Sequence, residues 1–259
     1  MTPDPAVVAP SDSAANALAL MDSLRVRHLP VVEDGALVGI VSDRDLLARS
    51  GHGVLGGGGE GGLAPVRDVM RRDPITAAPD DLIVAAVTEL SVHRIGCLPV
   101  VEAGRLVGIV TETDFLRLLA LLGASGLAPA GLDPELRHVA QYAVEAAPAR
   151  TSVAEAAARM AALGVRHLPI AGPEGGWGAL VSDRDLRRAI GAGVHAGQRV
   201  AEVSWSSPLV CPASARVSEA AGLMAEHKAT AVVVADEAQA RLGIITTTDL
   251  LEHALGALS

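Results

Sequence analysis

Residues 26–47 read "VRHLPVVEDGALVGIVSDRDLL", and residues 95–116 read "IGCLPVVEAGRLVGIVTETDFL". Pro30 and Ser42 stand the same distance apart as Pro99 and Thr111. Within the first stretch, two β-branched runs, Leu29 to Val32 and Leu37 to Val41, flank Asp34-Gly35. That pattern is a hairpin signal, because a two-residue turn between twisted strands needs positive φ at both positions. Ser42 then opens a helix expected to end near Gly51, since a hydroxyl side chain satisfies an orphan N–H at a helix start.

The likeness extends upstream. "MTPDPAVVAP" from Met1 matches "MRRDPITAAP" from Met70. A short extended piece, Pro74 to Ala77, leads into a helical segment over 82–91 in which Ile83, Val84, Val87 and Leu90 share a face. A third copy runs through "VRHLPIAGPEGGWGALVSDRDLR" (residues 165–187) and a fourth through "MAEHKATAVVVADEAQARLGIITTTDLL" (residues 224–251). From Met21 to Leu90, Met160 and Met224 the periods are 69, 70 and 64 residues. Each unit therefore reads β-α-β-β-α, an α/β (α+β) class. A unit of about 60 residues buries only ~60% of its unfolded surface and is marginal alone, so the units should pair. The Gly, Ala and Pro content of residues 121–135 supports no long helix and divides the chain into 1–123 (repeats 1–50 and 66–123), a linker 124–135, and 136–259 (repeats 136–192 and 199–259).

Composition narrows the function classes. Half of the residues are apolar but only 2% are aromatic, so the core must be built from Ala, Val, Leu and Ile. The net charge is −9 and Lys228 is the only lysine, which argues against a nucleic-acid partner. No stretch approaches the roughly 18 apolar residues of a membrane span, and Met1 is followed by no basic-then-apolar leader; a cytoplasmic protein is expected. Cys97 and Cys211 lie far apart without a CxxC or neighbouring His pattern, so neither a zinc site nor a disulfide framework is suggested. No metal and no required cofactor are expected.

Gly51-x-Gly53-x-x-Gly56 has the spacing of a dinucleotide cradle, but it follows the helical run "DLLARS" and precedes more glycine, whereas a fingerprint must follow a strand and open a helix. Gly191 repeats the imitation in the third unit, and both glycines read as helix C-caps. The chain also contains no G-x-S-x-G elbow, P-loop or H-E-x-x-H, which argues against an enzyme.

A more informative pattern is a hydroxyl residue, two spacers and an aspartate at the end of every hairpin: Ser42 with Asp45, Thr111 with Asp114, Ser182 with Asp185, Thr246 with Asp249. Capping alone explains such a pair once. Its recurrence at one spacing in four copies suggests a second use, because free N–H groups at a helix start attract phosphate and a carboxylate in the first turn accepts ribose hydroxyls. Gly39, Gly108 and Gly243, three positions before the hydroxyl, are expected to clear space for a ligand; Ala179 replaces them in the third unit, beside Trp177.

The L-P-V-V run, the hairpin and the G-h-V-[ST]-x-x-D motif together resemble the cystathionine β-synthase (CBS) domain over nearly the whole chain, with Val233 replacing the proline in the fourth unit. The resemblance implies two-repeat modules with two clefts each, packed into a flat disc, and a homodimer fits it. It implies regulatory binding of adenosine derivatives such as AMP, ADP, ATP, S-adenosylmethionine or NAD. The motif Asp would hold ribose, its Ser or Thr would touch phosphate or ribose, and the first strand would meet adenine around Val7, Thr76, Ala146 and Val210. A similar four-unit chain, the γ subunit of AMP-activated kinase, grips phosphates with a basic pair before L-P. Here Arg27-His28 and Arg166-His167 occupy that place in the odd units, joined by Arg44 and Arg184 inside the motif, whereas the even units have Gly96-Cys97 and Thr230-Ala231. A non-enzymatic nucleotide sensor acting on a protein partner is the expectation, and a ligand-free docking scaffold is the alternative. His93 and His227, at helix ends, are expected to serve surface or capping roles.

Overall fold

The computed structural model describes residues 1–49, 64–172, 176–203, 207–237 and 241–258. The Gly-rich stretch containing Gly51, Gly53 and Gly56 lies outside them. The chain forms two compact units, Met1–Thr111 with Ile190–Ala192, and Glu112–Ala189 with Gly193–Ser259.

The first unit contains β1 (Thr2–Pro3), α1 (Ala14–Leu24), β2 (His28–Glu33), β3 (Ala36–Ser42), α2 (Asp43–Arg49), β4 (Arg71–Arg72), α3 (Ile83–Val92), β5 (Cys97–Glu102) and β6 (Arg105–Thr111). The hairpins form as the sequence requires: Asp34 and Gly35 have φ of 51° and 82°, and Ala103 and Gly104 have 48° and 79°. These are the paired positive values of a type I′ turn, whose twist matches that of the strands it joins. Leu29, Val31, Leu98 and Val100 point inward and are at most 2% exposed. Helix α1 closes over the first hairpin with Ala14, Ala17 and Met21, and small alanines let it lie close to the sheet.

The expected β-α-β-β-α unit is correct but incomplete. The extended piece pairs only by a parallel bridge to its own hairpin, Val8 to Val31 and Ala77 to Val100. Before it, a two-residue strand crosses to the other repeat: β1 pairs with β6 (Pro3 to Gly108) and β4 pairs with β3 (Arg72 to Gly39). The two repeats thus share one six-stranded sheet, with Ala36 also facing Arg105.

The second unit contains α4 (Glu112–Ala124), α5 (Val153–Leu163), β7 (His167–Ala171), β8 (Trp177–Ser182), α6 (Asp183–Gly191), β9 (Val210–Pro212), α7 (Val217–His227), β10 (Ala231–Asp236), β11 (Arg241–Thr246) and α8 (Thr247–Leu258). Residues 121–124, of a composition expected to support no long helix, instead continue α4. That helix lies against α7, where Gly123 meets Ser218 so closely that a Cβ would collide with it. Burial of Phe115, Leu116 and Leu119 outweighs the weak helix propensity of the glycine-containing turn. Crossing recurs here, since Gln141 of the third repeat bridges Ile244 of the fourth.

The first helix of every repeat ends in a left-handed residue: Arg25, Arg94, Gly164 and Lys228. Each is followed by a bond back to the last turn, such as Val26 N–H to the Met21 carbonyl at 2.9 Å. Three of the four carry a Cβ that disfavours this conformation. Arg25→Gly and Arg94→Gly are each expected to stabilise the protein by about 0.5–1 kcal/mol. A rise in urea midpoint checks this, and Gly164→Ala should lower it. Gly191, expected to cap α6, remains helical; Gly193, at φ 94°, is the capping glycine, with Val194 N–H bonding Ala189.

Val87 and Leu90 are buried as expected, but Ile83 and Val84 of the same predicted face are 60% and 44% exposed. His93 caps α3, with Nε2 3.2 Å from Glu89, and His227 ends α7 on the surface. Cys97 and Cys211 are free thiols in the core, and burial pushes the Cys211 thiol above its ordinary pKa. Among the described residues, no cluster of metal-ligating side chains occurs and no helix is long and apolar enough to cross a membrane.

Candidate functional site

Strand β3 delivers Ser42 to the start of α2, where Ser42 and Asp45 bind each other reciprocally. Ser42 donates its backbone N–H to Asp45 Oδ2 at 2.9 Å and its hydroxyl to the same oxygen at 2.5 Å. Asp45 N–H donates to Ser42 Oγ at 3.2 Å. The arrangement recurs at Ser182 and Asp185, with distances of 2.9, 2.6 and 3.1 Å. At Thr246 and Asp249 the distances are 2.7, 2.6 and 3.3 Å. This is the capping box in its short form, an Asp replacing the usual Glu at the third helical position. Local capping therefore accounts for the spacing. It also fixes the carboxylate: Oδ2 is saturated by two donors, whereas Oδ1 accepts no hydrogen bond among the described residues. Asp45 and Asp249 are half-buried and Asp185 is exposed.

In the second repeat, Thr111 ends β6, and Asp114 in the first turn of α4 places Oδ1 3.6 Å from Arg117 Nη1. That carboxylate already faces a cation.

The hairpin register brings the basic pairs to the same helix starts. His28 is the cross-strand partner of Ser42 and His167 of Ser182, with Cys97 opposite Thr111 and Ala231 opposite Thr246. The carbonyls of Arg27 and Arg166 accept from Asp43 and Asp183 N–H at 3.0 and 2.9 Å. Thr230 does the same for Thr247 in the fourth repeat at 3.0 Å. Arg27, His28, Arg44, Arg166, His167 and Arg184 are all half-buried, and each has an interaction within the protein. His167 Nε2 lies 3.0 Å from Thr230 Oγ1, linking the third repeat's basic pair to the equivalent position of the fourth. Asp183 pairs with Arg187 Nη2 at 3.4 Å, a partner the sequence motif does not include.

The first strand borders the other side of β2. Val8 donates to the Pro30 carbonyl and accepts from Val32, and Ala77 and Ala147 make the same two bonds in their repeats. Buried Cys211 holds the corresponding register in β9. Strand alternation turns the preceding residues outward: Val7 and Val210 are 43% and 55% exposed, Thr76 is exposed and Ala146 half-buried. Odd repeats thus place an aliphatic residue (exposed Val7, half-buried Ala146), an Arg-His pair and a capping-box carboxylate around the beginning of one short hairpin.

The glycines before the motif have a different use from the expected one. A Cβ on Gly39 would lie 2.8 Å from Met70 Sδ and 2.9 Å from the Arg71 carbonyl oxygen. On Gly108 it would meet Met1 Sδ at 2.8 Å, and on Gly243 the Tyr142 ring at 2.8 Å. The crossing strand, not a ligand, occupies the space they clear. Tyr142 is also covered by Arg241, whose guanidinium carbon lies 3.8 Å from the ring centroid and whose Nε bonds buried Asp236 at 3.2 Å. The sequence signal for this cluster was only that Tyr142 is the chain's single tyrosine. An open hollow beside α4 and α7, lined by Pro129, Gly131, Asp133 and Arg216 among others, contains none of the sequence-predicted residues.

Comparison with known proteins gives the fold a context. The family model described as CBS domain matches residues 1–52, 66–121 and 200–256. The third repeat, in which Ala179 replaces the glycine, is outside these matches. The CBS domain-containing protein YhcV of Bacillus subtilis is 34% identical over 114 residues, which are 44% of this chain and 78% of that protein. Among solved structures, protein MJ1225 of Methanocaldococcus jannaschii aligns over 98% of this chain and 97% of its own at 22% identity with a TM-score of 0.77. An uncharacterised conserved protein of Pyrococcus horikoshii aligns over 97% and 96% at 22% identity with a TM-score of 0.64. At that identity these likenesses speak for the fold alone.

Proposed function

The chain belongs to the CBS-domain family, and from that premise we propose that it is a non-catalytic regulatory protein binding an adenosine-containing nucleotide at the capping-box helix starts. The observation that carries this reading is the divided carboxylate. Asp45 and Asp185 commit Oδ2 to the chain and keep both lone pairs of Oδ1 for outside donors, which suits the two hydroxyls of a ribose. Because capping already holds the side chain in place, binding orders nothing further there, and preorganisation of this kind raises affinity. Exposed Val7 offers a face for an adenine, with Ala146 in the corresponding place of the third repeat. Arg27 and Arg166 supply positive charge for phosphates in the odd repeats, with His28 and His167 beside them, and the even repeats lack that pair. In this reading 1–123 and 136–259 are the two binding modules. A nucleotide that fits one arrangement of a module better than another shifts its population, and a protein partner reads the result.

A ligand-free scaffold is the second reading, favoured by the same capping box, which needs no ligand to be satisfied. Calorimetric titration of nucleotide-free protein with AMP, ADP, ATP and S-adenosylmethionine separates the two. The sensor reading expects saturable heat with at least one of them, and the scaffold expects none. If the Arg-His pairs act on phosphates, raising salt from low to about 0.5 M should weaken ATP several-fold while leaving adenosine nearly unchanged, because screening acts on charge. Equal salt dependence for both ligands would remove the arginines from the site.

A further inference from the structure

One side-chain contact joins the third repeat's basic pair to the fourth repeat. His167 Nε2 lies 3.0 Å from Thr230 Oγ1, 63 residues away in the chain. His167 is the cross-strand partner of Ser182, and the carbonyl of the preceding Arg166 accepts from Asp183 N–H, so His167 stands at the start of α6. Thr230 is held on both sides. The adjoining Ala229 N–H donates to the Met224 carbonyl at 2.9 Å, which ties the segment to the end of α7. The Thr230 carbonyl accepts from Thr247 N–H at 3.0 Å and from the Thr247 hydroxyl at 3.4 Å, and both Thr247 and Ala231 are buried. The Thr230 hydroxyl is therefore a fixed point against which the imidazole is set.

Backbone register fixes where the His167 side chain begins, but the ring still turns about its two torsions. A bond from Nε2 to a hydroxyl on an anchored backbone restricts that rotation. The hydroxyl donates to an unprotonated ring nitrogen and accepts from a protonated one, so the contact persists whichever charge the ring carries. A ring already ordered in this way has less freedom to lose when an anion arrives, and that favours binding. The first unit lacks the device. His28 faces Ser42 in the same register, but the residue corresponding to Thr230, one before the partner of the motif hydroxyl, is Gly96. His28 has an interaction of its own, though glycine offers it no hydroxyl from that position.

We infer that Thr230, a residue of the fourth repeat, is a positioning residue for the third repeat's site, holding His167 in the orientation that meets the phosphate of a bound nucleotide. The inference rests on the nucleotide reading proposed above and adds to it a residue from outside the repeat. Its effect belongs to the phosphates and not to the nucleoside, and it is confined to the third repeat.

The test follows His28 and His167 separately by NMR in nucleotide-free protein carrying ¹⁵N-labelled histidine, each assigned by the signal lost in His28→Gln or His167→Gln. Adenosine and its mono-, di- and triphosphates are titrated into the native protein, Thr230→Val and Thr230→Ser. Valine keeps the shape of threonine and removes the hydroxyl. Read at His167, Thr230→Val should weaken the phosphorylated ligands about fivefold, the scale of one hydrogen bond, and change adenosine less than twofold. Thr230→Ser should bring them back to within twofold of native. Read at His28, both variants should bind as the native protein does. Equal losses for adenosine and its phosphates, or no recovery with serine, would make Thr230 a packing residue and overturn the inference. A Thr230→Val protein that binds the phosphorylated ligands as the native one does at His167 also overturns it, and leaves the nucleotide reading standing. The absence of any saturable response to AMP, ADP or ATP at His167 overturns it as well, whereas the nucleotide reading itself falls only if calorimetry shows no heat with any of its four ligands.

Discussion

Gly39→Val is expected to destabilise the protein by about 2–3 kcal/mol, and Gly243→Val by a similar amount, lowering the melting temperature by roughly 5–10 °C. The reason lies in what each glycine faces. At Gly39 a methyl would press on the Arg71 carbonyl oxygen at 2.9 Å, and Arg71 belongs to a strand of only two residues. Such a strand has no length over which to absorb a displacement, so the added atoms move it off the sheet and expose the edge of β3. The Met70 thioether can rotate away, but the backbone carbonyl cannot. At Gly243 the obstruction is the Tyr142 ring at 2.8 Å, itself held beneath Arg241. Valine also favours strand conformation, by up to about 1 kcal/mol, so the sign of the result decides between effects. Thermal melts without any nucleotide check it. Unchanged stability in both variants would return these glycines to the role the sequence suggested, clearance for a ligand.

The second large effect concerns binding. Asp45→Asn combined with Asp185→Asn should reduce nucleotide affinity by about 30-fold or more, equivalent to ~2 kcal/mol, the scale of hydrogen bonds to a charged group. Asparagine keeps an oxygen to accept from Ser42 or Ser182 in the cap, but that orientation turns its amino group outward, where it cannot accept from a ribose. Stability should fall by no more than ~1 kcal/mol, the worth of a carboxylate near a helix N-terminus. The alanine versions lose cap and recognition together, so they report both at once and are less informative. Isothermal titration and chemical denaturation on the same samples separate the terms. A double Asn variant that binds as tightly as the native protein would leave Asp45 and Asp185 as caps and nothing more.

Much of the fold was written in local patterns. Asp34-Gly35 and Ala103-Gly104 specify their turns because few backbones other than a type I′ turn connect two strands through two residues. The Ser-x-x-Asp motif marks where each helix starts because the interaction is confined to one turn. The candidate site was legible for the same reason. His28 faces Ser42 through hairpin register, and register follows from the position of the turn. What misled the reading were residues whose partners lie far along the chain. Gly39 appears open in sequence, and only the crossing of β4 fills its space. Residues 121–124 look unfit for a long helix until α7 provides a surface for α4. Ile83 and Val84 fit a helical face with Val87 and Leu90, yet the fold leaves them 60% and 44% exposed.

Sequence by itself determined the fourfold repeat, the hairpins, the helix starts and the placing of charge at the odd repeats, since each depends on contacts spanning a few residues. Tertiary structure alone decided that two-residue strands are exchanged between repeats, that a glycine serves a neighbouring backbone, and that Ile83 and Val84 stay exposed while Val87 and Leu90 are buried. Those outcomes arise from close packing between segments far apart in sequence, as where Pro3 meets Gly108 and Gln141 meets Ile244. Periodicity reports which face of an element is apolar, and only the folded chain supplies, or withholds, the surface that meets it.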